Sequence, residues 1–171
     1  MHDNLQYVPL PEHTEEEKEF AAKVYATYEK NGKLPGMGAQ YDKDIAEKVK
    51  ELVKGCPEGL YDFVMPFYSG DEFHPGSTDV GDVSWETPAV QFNTVCFAAD
   101  APGHSWQNVS FGGSTIGDKG TVQASKVLAC AAIDLFEDPN ILEAAKNEHK
   151  KRMEGKEYFC PIPEGAVPIA I

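Results

Sequence analysis

A histidine in a glycine- and proline-bearing turn, two aspartates three residues apart and a double glycine ahead of a helical pattern are the parts of this chain best suited to chemistry. His104, in PGHSWQ at 102–107, follows an apolar segment and precedes a helical one. In an open α/β sheet that edge is where ligands bind. A neutral imidazole there can ligate zinc, act as a base or bind a carboxylate; the plainer alternative is a loop histidine bonded to backbone. If GHSWQ is extended, His104 and Trp106 project to one side and Ser105 and Gln107 to the other. Asp79 and Asp82, in GSTDVGDVSW at 76–85, share one face if that stretch is helical, which suits paired carboxylates. Ser, Thr and Asp in this order are also what a helix N-terminus requires. Gly112-Gly113-Ser114-Thr115 can meet an anion at a helix start, but it lacks the lysine spacing of a phosphate loop. His74, in DEFHPG, is a second candidate beside the Asp79 segment. His2 and His13 precede the first helix, and His149 lies on a lysine-rich, solvated face.

The elements that must hold these residues follow from local signals. Thr14-Glu15-Glu16-Glu17 is a capping box, with the Thr14 hydroxyl bonding first-turn amides and Glu17 reaching back. Phe20, Val24 and Tyr28 continue it as one apolar stripe, and Asn31-Gly32 is expected to end it. Asp42 or Asp44 opens a second helix with Ile45, Val49, Leu52 and Val53 inward, and Gly55 closes it. YDFVMPFYS at 61–69 and VQFNTVCFAA at 90–99 are rich in aromatic and β-branched residues and read as strands. Residues 79–86 form a short helix, capped by Ser77 or Thr78 and stopped before Pro88. After the loop DAPGHSWQNVSFGG, Ser114 or Thr115 caps a long helix. Its Val122, Val127, Leu128, Ala131, Ala132 and Leu135 imply extensive burial. Asp138-Pro139 opens a last helix running to about Glu154.

The expected fold class is therefore α/β: a partial three-layer sheet with packed helices, as one segment over 1–171. Residues 1–12 are an N-terminal arm and 156–171 an extended, proline-bearing tail. Two or three strands cannot make a well-covered sheet alone, so the chain reads as part of something larger, or as a subunit that completes itself with a partner.

Composition sets the outer limits. A chain of 171 residues can bury roughly 70% of its unfolded surface. Fifteen basic residues against 28 acidic ones give a net charge of −13, which disfavours nucleic acid and anionic membrane surfaces as partners. No apolar run is long enough to span a membrane, and the first residues lack the pattern of a secretory signal. Cys56, Cys96, Cys130 and Cys160 are widely spaced, with no CxxC pair, which points to a reduced, cytoplasmic protein.

Taken together, GSTDVGDVSWETP, APGHSWQ, the TIGDKG helix start and the closing YFCPIP resemble the C-terminal portion of the zinc-dependent aminoacylase and carboxypeptidase-type amidohydrolases. The nearest branch is the aminobenzoyl-glutamate utilization protein B group. The resemblance runs from about Val8 to the end and is most specific over 76–107. It implies the resumed half of an α/β catalytic domain, without the lid domain that interrupts it. By position, the family's late metal-binding histidine carries over to His104. Its Gly-Ser-(Glu or Thr)-Asp loop carries over to Gly76, Ser77, Thr78 and Asp79 as substrate-binding floor.

The departures limit what that implies. The family's first metal motif, its adjacent Glu-Glu pair and the lid histidine have no counterpart here, and Glu15-Glu16 lies in the wrong context to replace the pair. A hydrolytic zinc site needs about three protein ligands and an open position. A full structural zinc site is worth roughly 10–16 kcal/mol, so an equal share for one imidazole, about 3–4 kcal/mol, corresponds to millimolar affinity. The expected function is thus a segment of an amidohydrolase that uses zinc or manganese in its complete form. It would cleave an amide of an acylated amino acid or an aminobenzoyl-glutamate-like substrate. This chain would hold no tightly bound metal, contribute no catalytic residue and be inactive alone. Expected partners are a second copy or a complementary chain carrying the rest of the site. The alternative is a non-catalytic interaction or oligomerisation module derived from that fold.

Overall fold

Seven helices and no strand are found among residues 1–36, 41–68 and 78–167, the part of the chain that the computed structural model describes. They are α1 (His2–Tyr7), α2 (Glu15–Tyr25), α3 (Lys43–Lys54), α4 (Val80–Glu86), α5 (Trp106–Gly112), α6 (Thr115–Glu137) and α7 (Pro139–Met153). The expected α/β sheet is therefore overturned. Residues 61–68 and 90–99 have strand-like composition but no β partner among the described residues. A strand exists only through pairing, so composition alone does not make one. Their bonds go elsewhere: the Ala99 amide donates to the Gly59 carbonyl at 2.8 Å, and the Thr94 hydroxyl donates to the Gly120 carbonyl at 2.9 Å.

The helix starts follow the local chemistry. At α2, the Thr14 amide donates to Glu17 Oε2 at 2.8 Å and the Glu17 amide donates to Thr14 Oγ1 at 3.3 Å, so the capping box is complete. Asp42 caps α3 through the Ile45 amide. Asp138 caps α7 through the Asn140 amide, with Pro139 in the first turn. Helix α2 ends earlier than Asn31-Gly32. The Ala26 amide bonds to both Ala22 and Val24 carbonyls and tightens the last turn, and Tyr28 reaches the core from the turn beyond. Residues 2–7 of the arm add the short helix α1. It has no side-chain cap and is tied down by buried Val8, whose carbonyl accepts from Gln123 Nε2.

The chain divides into two units. The first comprises Met1–His74 and Phe92–Ile133. Its core is Ala21, Val24, Leu60, Ala98, Phe111 and Ile116, with Phe20, Tyr28, Val95 and Ala101 packed against it. Gly59, at φ +80°, lies where a Cβ would come within 2.9 Å of the Ala21 carbonyl oxygen, so the turn before Leu60 presses directly on α2. Helix α6 is much less buried than its apolar sequence implies. Ile116, Gly120, Gln123 and Val127 are buried, but Val122 and Leu128 are more than half exposed. In α3, Val49 is fully buried while Leu52 lies partly in solvent.

The second unit comprises Pro75–Gln91 and Asp134–Ile171. No residue of α4 or α7 is buried. Helix α4 is tied to α7 by His149 Nε2, which donates to the Ser84 carbonyl at 3.0 Å. Among the described residues no helix is long and apolar enough to cross a membrane.

Candidate functional site

His104 belongs to the first unit and stands at an unusual backbone position. The chain leaves the core at Ala98 and Ala99, and the Ala101 amide turns back to the Ala98 carbonyl. Asp100 and His104 both take left-handed backbone, at φ +56° and +54°. That region is uncommon for non-glycine residues, though Asp and His tolerate it better than most. Immediately after it, the Ser105 hydroxyl donates to the Pro102 carbonyl and accepts from the Asn108 amide, capping α5. Helix α5 is held by Phe111, fully buried with its ring 4.9 Å from that of Phe20, and by Gln107, whose Nε2 donates to Thr27 Oγ1. His104 is thus an exposed side chain at the end of an anchored turn.

The sequence reading of 102–113 as loop missed α5, and the extended reading of GHSWQ is replaced by a turn that leads into the helix at Trp106. The signal was present: a Ser cap and buried positions at 107 and 111, one helical turn apart. The left-handed backbone carries a prediction. His104→Gly relieves roughly 1 kcal/mol of backbone cost and removes no buried contact, so the chain is expected to become slightly more stable. Chemical denaturation of both proteins measures this, and a stability loss above about 1 kcal/mol would show that the imidazole is structural.

Thr78 and Asp79 belong to the second unit, at the start of α4. Asp79 occupies the cap position but keeps helical backbone, and its side chain makes no capping bond. The Val80 amide instead bonds to Thr78 Oγ1 at 3.4 Å. Capping therefore does not account for the Asp79 carboxylate, which is exposed. Asp82 faces Tyr158. Burial pushes the Tyr158 hydroxyl up to about 12, with a bond to Cys160 and the Asp82 charge adding to the shift. Gly76, Ser77 and His74 lie outside the described residues.

A buried polar cluster sits in the first unit, and inspection of the sequence did not reveal it. Glu17, beyond its capping role, accepts from Thr115 Oγ1 and, at 2.6 Å, from Lys119 Nζ. Lys119 also donates to the Glu12 carbonyl. Buried His13 has Nδ1 3.5 Å from Glu17 Oε2 without a hydrogen bond. Burial alone would push the Glu17 carboxyl up. The bonds from Lys119, Thr115 and the Thr14 amide outweigh it and hold its pKa at about 2. This carboxylate is fully engaged by donors from its own chain, so it is a fastening between α2 and α6 rather than an open site.

Among the described residues no three His, Cys, Asp or Glu side chains converge on a point that could hold a metal ion. His104, exposed and alone, fits one corner of such a site and not the whole. No hydrolytic step is therefore routed through a metal on these residues.

Comparison with known proteins places this arrangement. No family model matches the chain, and no solved structure matches it. The chain is 34% identical over 174 residues to a p-aminobenzoyl-glutamate hydrolase subunit of Escherichia coli (strain K12), a match covering 98% of this chain and 35% of that protein. A weaker match, 30% identical over 84 residues, is to the Xaa-Arg dipeptidase of Mus musculus and covers 49% of this chain and 19% of that enzyme. The chain thus spans about a third of the length of the first of these relatives. Along nearly its whole length it is a relative of one segment of the p-aminobenzoyl-glutamate hydrolase subunit, and so of the amidohydrolase and peptidase family to which the motifs around His104 and Asp79 pointed.

Proposed function

We propose that this chain is one segment of a metal-dependent amidohydrolase that cleaves an amide bond of an aminobenzoyl-glutamate-like or acylated amino-acid substrate. Its own residues supply part of the site, and it is inactive without a complementary polypeptide. The observation that carries this reading is the match over 98% of the chain to a hydrolase subunit of which it covers only 35%. His104 contributes one imidazole donor from its anchored turn, and zinc or manganese held with further donors from outside the chain would polarise the amide carbonyl. Gly76, Ser77, Thr78 and Asp79 form part of the substrate floor. A carboxylate there is suited to accept a hydrogen bond from the amide N–H of the substrate. The setting is cytoplasmic.

The experiment supplies the chain with the remainder of the hydrolase subunit and follows release of p-aminobenzoate from p-aminobenzoyl-glutamate with added zinc or manganese. Hydrolysis is expected only from the combination, and His104→Ala is expected to lower it at least tenfold, about 1.4 kcal/mol. Turnover by the chain alone, or turnover indifferent to His104, overturns the reading. The second reading, a non-catalytic module, is favoured by the many large apolar side chains left in solvent. It predicts a complex with no turnover.

A further inference from the structure

Helix α6 carries an apolar side that the chain leaves uncovered. From Val127 to Ile133 it reads VLACAAI, without a charge. Ile116, Gly120, Gln123 and Val127 are buried and fall on one side of the helix. On the opposite side, Val122, Leu128 and Ile133 are 52%, 54% and 52% exposed, and Ala129 and Ala132 between them are exposed as well. A helix whose core-facing side is already satisfied ordinarily shows charged residues on its other side. One that is apolar all round is buried on all sides in its working form.

Three features of this face say what covers it. Between positions 121 and 133 its only charged side chain is Lys126, and it holds no carboxylate, although the whole chain carries −13. Two copies of so acidic a chain repel each other, which disfavours self-association. The exposed Ala129 and Ala132 leave room for a neighbouring backbone to approach closely. The hydrolase subunit that this chain matches has about two thirds of its length outside the match, enough polypeptide to supply the missing cover. We infer that the outer side of α6, centred on Val122, Leu128 and Ile133, is the docking surface for a separate, complementary polypeptide equivalent to that remainder, presenting an apolar face. This rests on the proposed function and names the place where the two parts join.

The test uses the full chain and, as the probe, the Escherichia coli hydrolase subunit lacking the segment this chain matches. Binding is measured by titration calorimetry and by size exclusion with light scattering. A one-to-one complex is expected. Leu128→Glu and the milder Ile133→Ser should each weaken it at least tenfold. Val90→Glu, at an exposed apolar position elsewhere, should not. Circular dichroism shows whether each variant keeps its helices, and Ile133→Ser, which buries no new charge, carries the test if Leu128→Glu does not fold. Absence of a complex, a complex unaffected by both α6 variants, or self-association of the chain that Leu128→Glu abolishes, overturns the inference. Binding without hydrolysis leaves the docking surface standing and counts against the catalytic reading. Hydrolysis that the α6 variants do not disturb counts against the docking surface alone.

Discussion

Lys119→Met is expected to destabilise the chain by roughly 2–3 kcal/mol, the lower end of what breaking a buried ion pair costs. The lysine is the charged partner of Glu17, whose side chain is only 9% exposed, while its own side chain is 30% exposed. Removing it leaves a carboxylate in the interior with Thr115 and the Thr14 amide as its remaining donors. Glu17→Gln is expected to cost less. The amide oxygen still accepts from Thr115 and Thr14, and the freed ammonium can swing toward water. Because the two side chains touch, the double variant should be less destabilised than the sum of the singles, which a double-mutant cycle in urea measures directly.

The same pair sets a pH dependence. The Glu17 pKa is lowered from 4.5 to about 2 in the folded chain. A lowered pKa means that the folded state binds its proton more weakly than the unfolded one. The stabilisation, on the order of 3 kcal/mol, is therefore fully present above about pH 4.5 and is lost as the pH falls toward 2. In Lys119→Met the burial that raises the pKa meets less opposition, so this acid-dependent loss should shrink. Denaturation midpoints at pH 7, 4.5 and 3 distinguish the two. Parallel acid profiles for the two proteins would show that Lys119 does not set the carboxyl's pKa.

Gly120→Ala is expected to cost about 2–3 kcal/mol, even though alanine is the better helix former by nearly 1 kcal/mol in an exposed position. A Cβ at 120 would stand 2.4 Å from the Val95 carbonyl oxygen and 2.5 Å from the Cys96 sulfur. Backbone cannot rotate away as a long side chain can. The substitution therefore forces α6 off the 94–96 segment and stretches the bond from Thr94 Oγ1 to the Gly120 carbonyl. Gly112, with nothing within 4 Å of a built Cβ, provides the comparison: Gly112→Ala should be tolerated or mildly stabilising. Thermal denaturation of the two variants settles the contrast. Equal effects would mean that the helix does not press closely on that segment.

What the sequence by itself determined is the set of features that close over a few residues. The Thr14 box, the Asp42 and Asp138 caps, the Pro139 start and the stop before Pro88 all stand where the residues place them, because each is satisfied by a hydrogen bond or a steric block within one turn of helix. His104 and Asp79 were legible as candidates because of their residue types and the motifs around them, and those motifs also carried the family likeness. Tertiary structure decided the rest. Whether 61–68 and 90–99 become strands depends on partners that composition cannot supply, and among the described residues none is present. The turn at 102–105 is drawn into α5 by Phe111 stacking on Phe20, ninety-one residues away in the chain. Glu17 reads locally as a helix-start residue, yet it is a buried ion-pair partner because Lys119, 102 residues on, folds back over it. The apolar pattern of α6 correctly marked a helix that demands burial, but a pattern states only the demand. Which side is met by the chain's own core is fixed by where Gly120 lets the helix touch Val95.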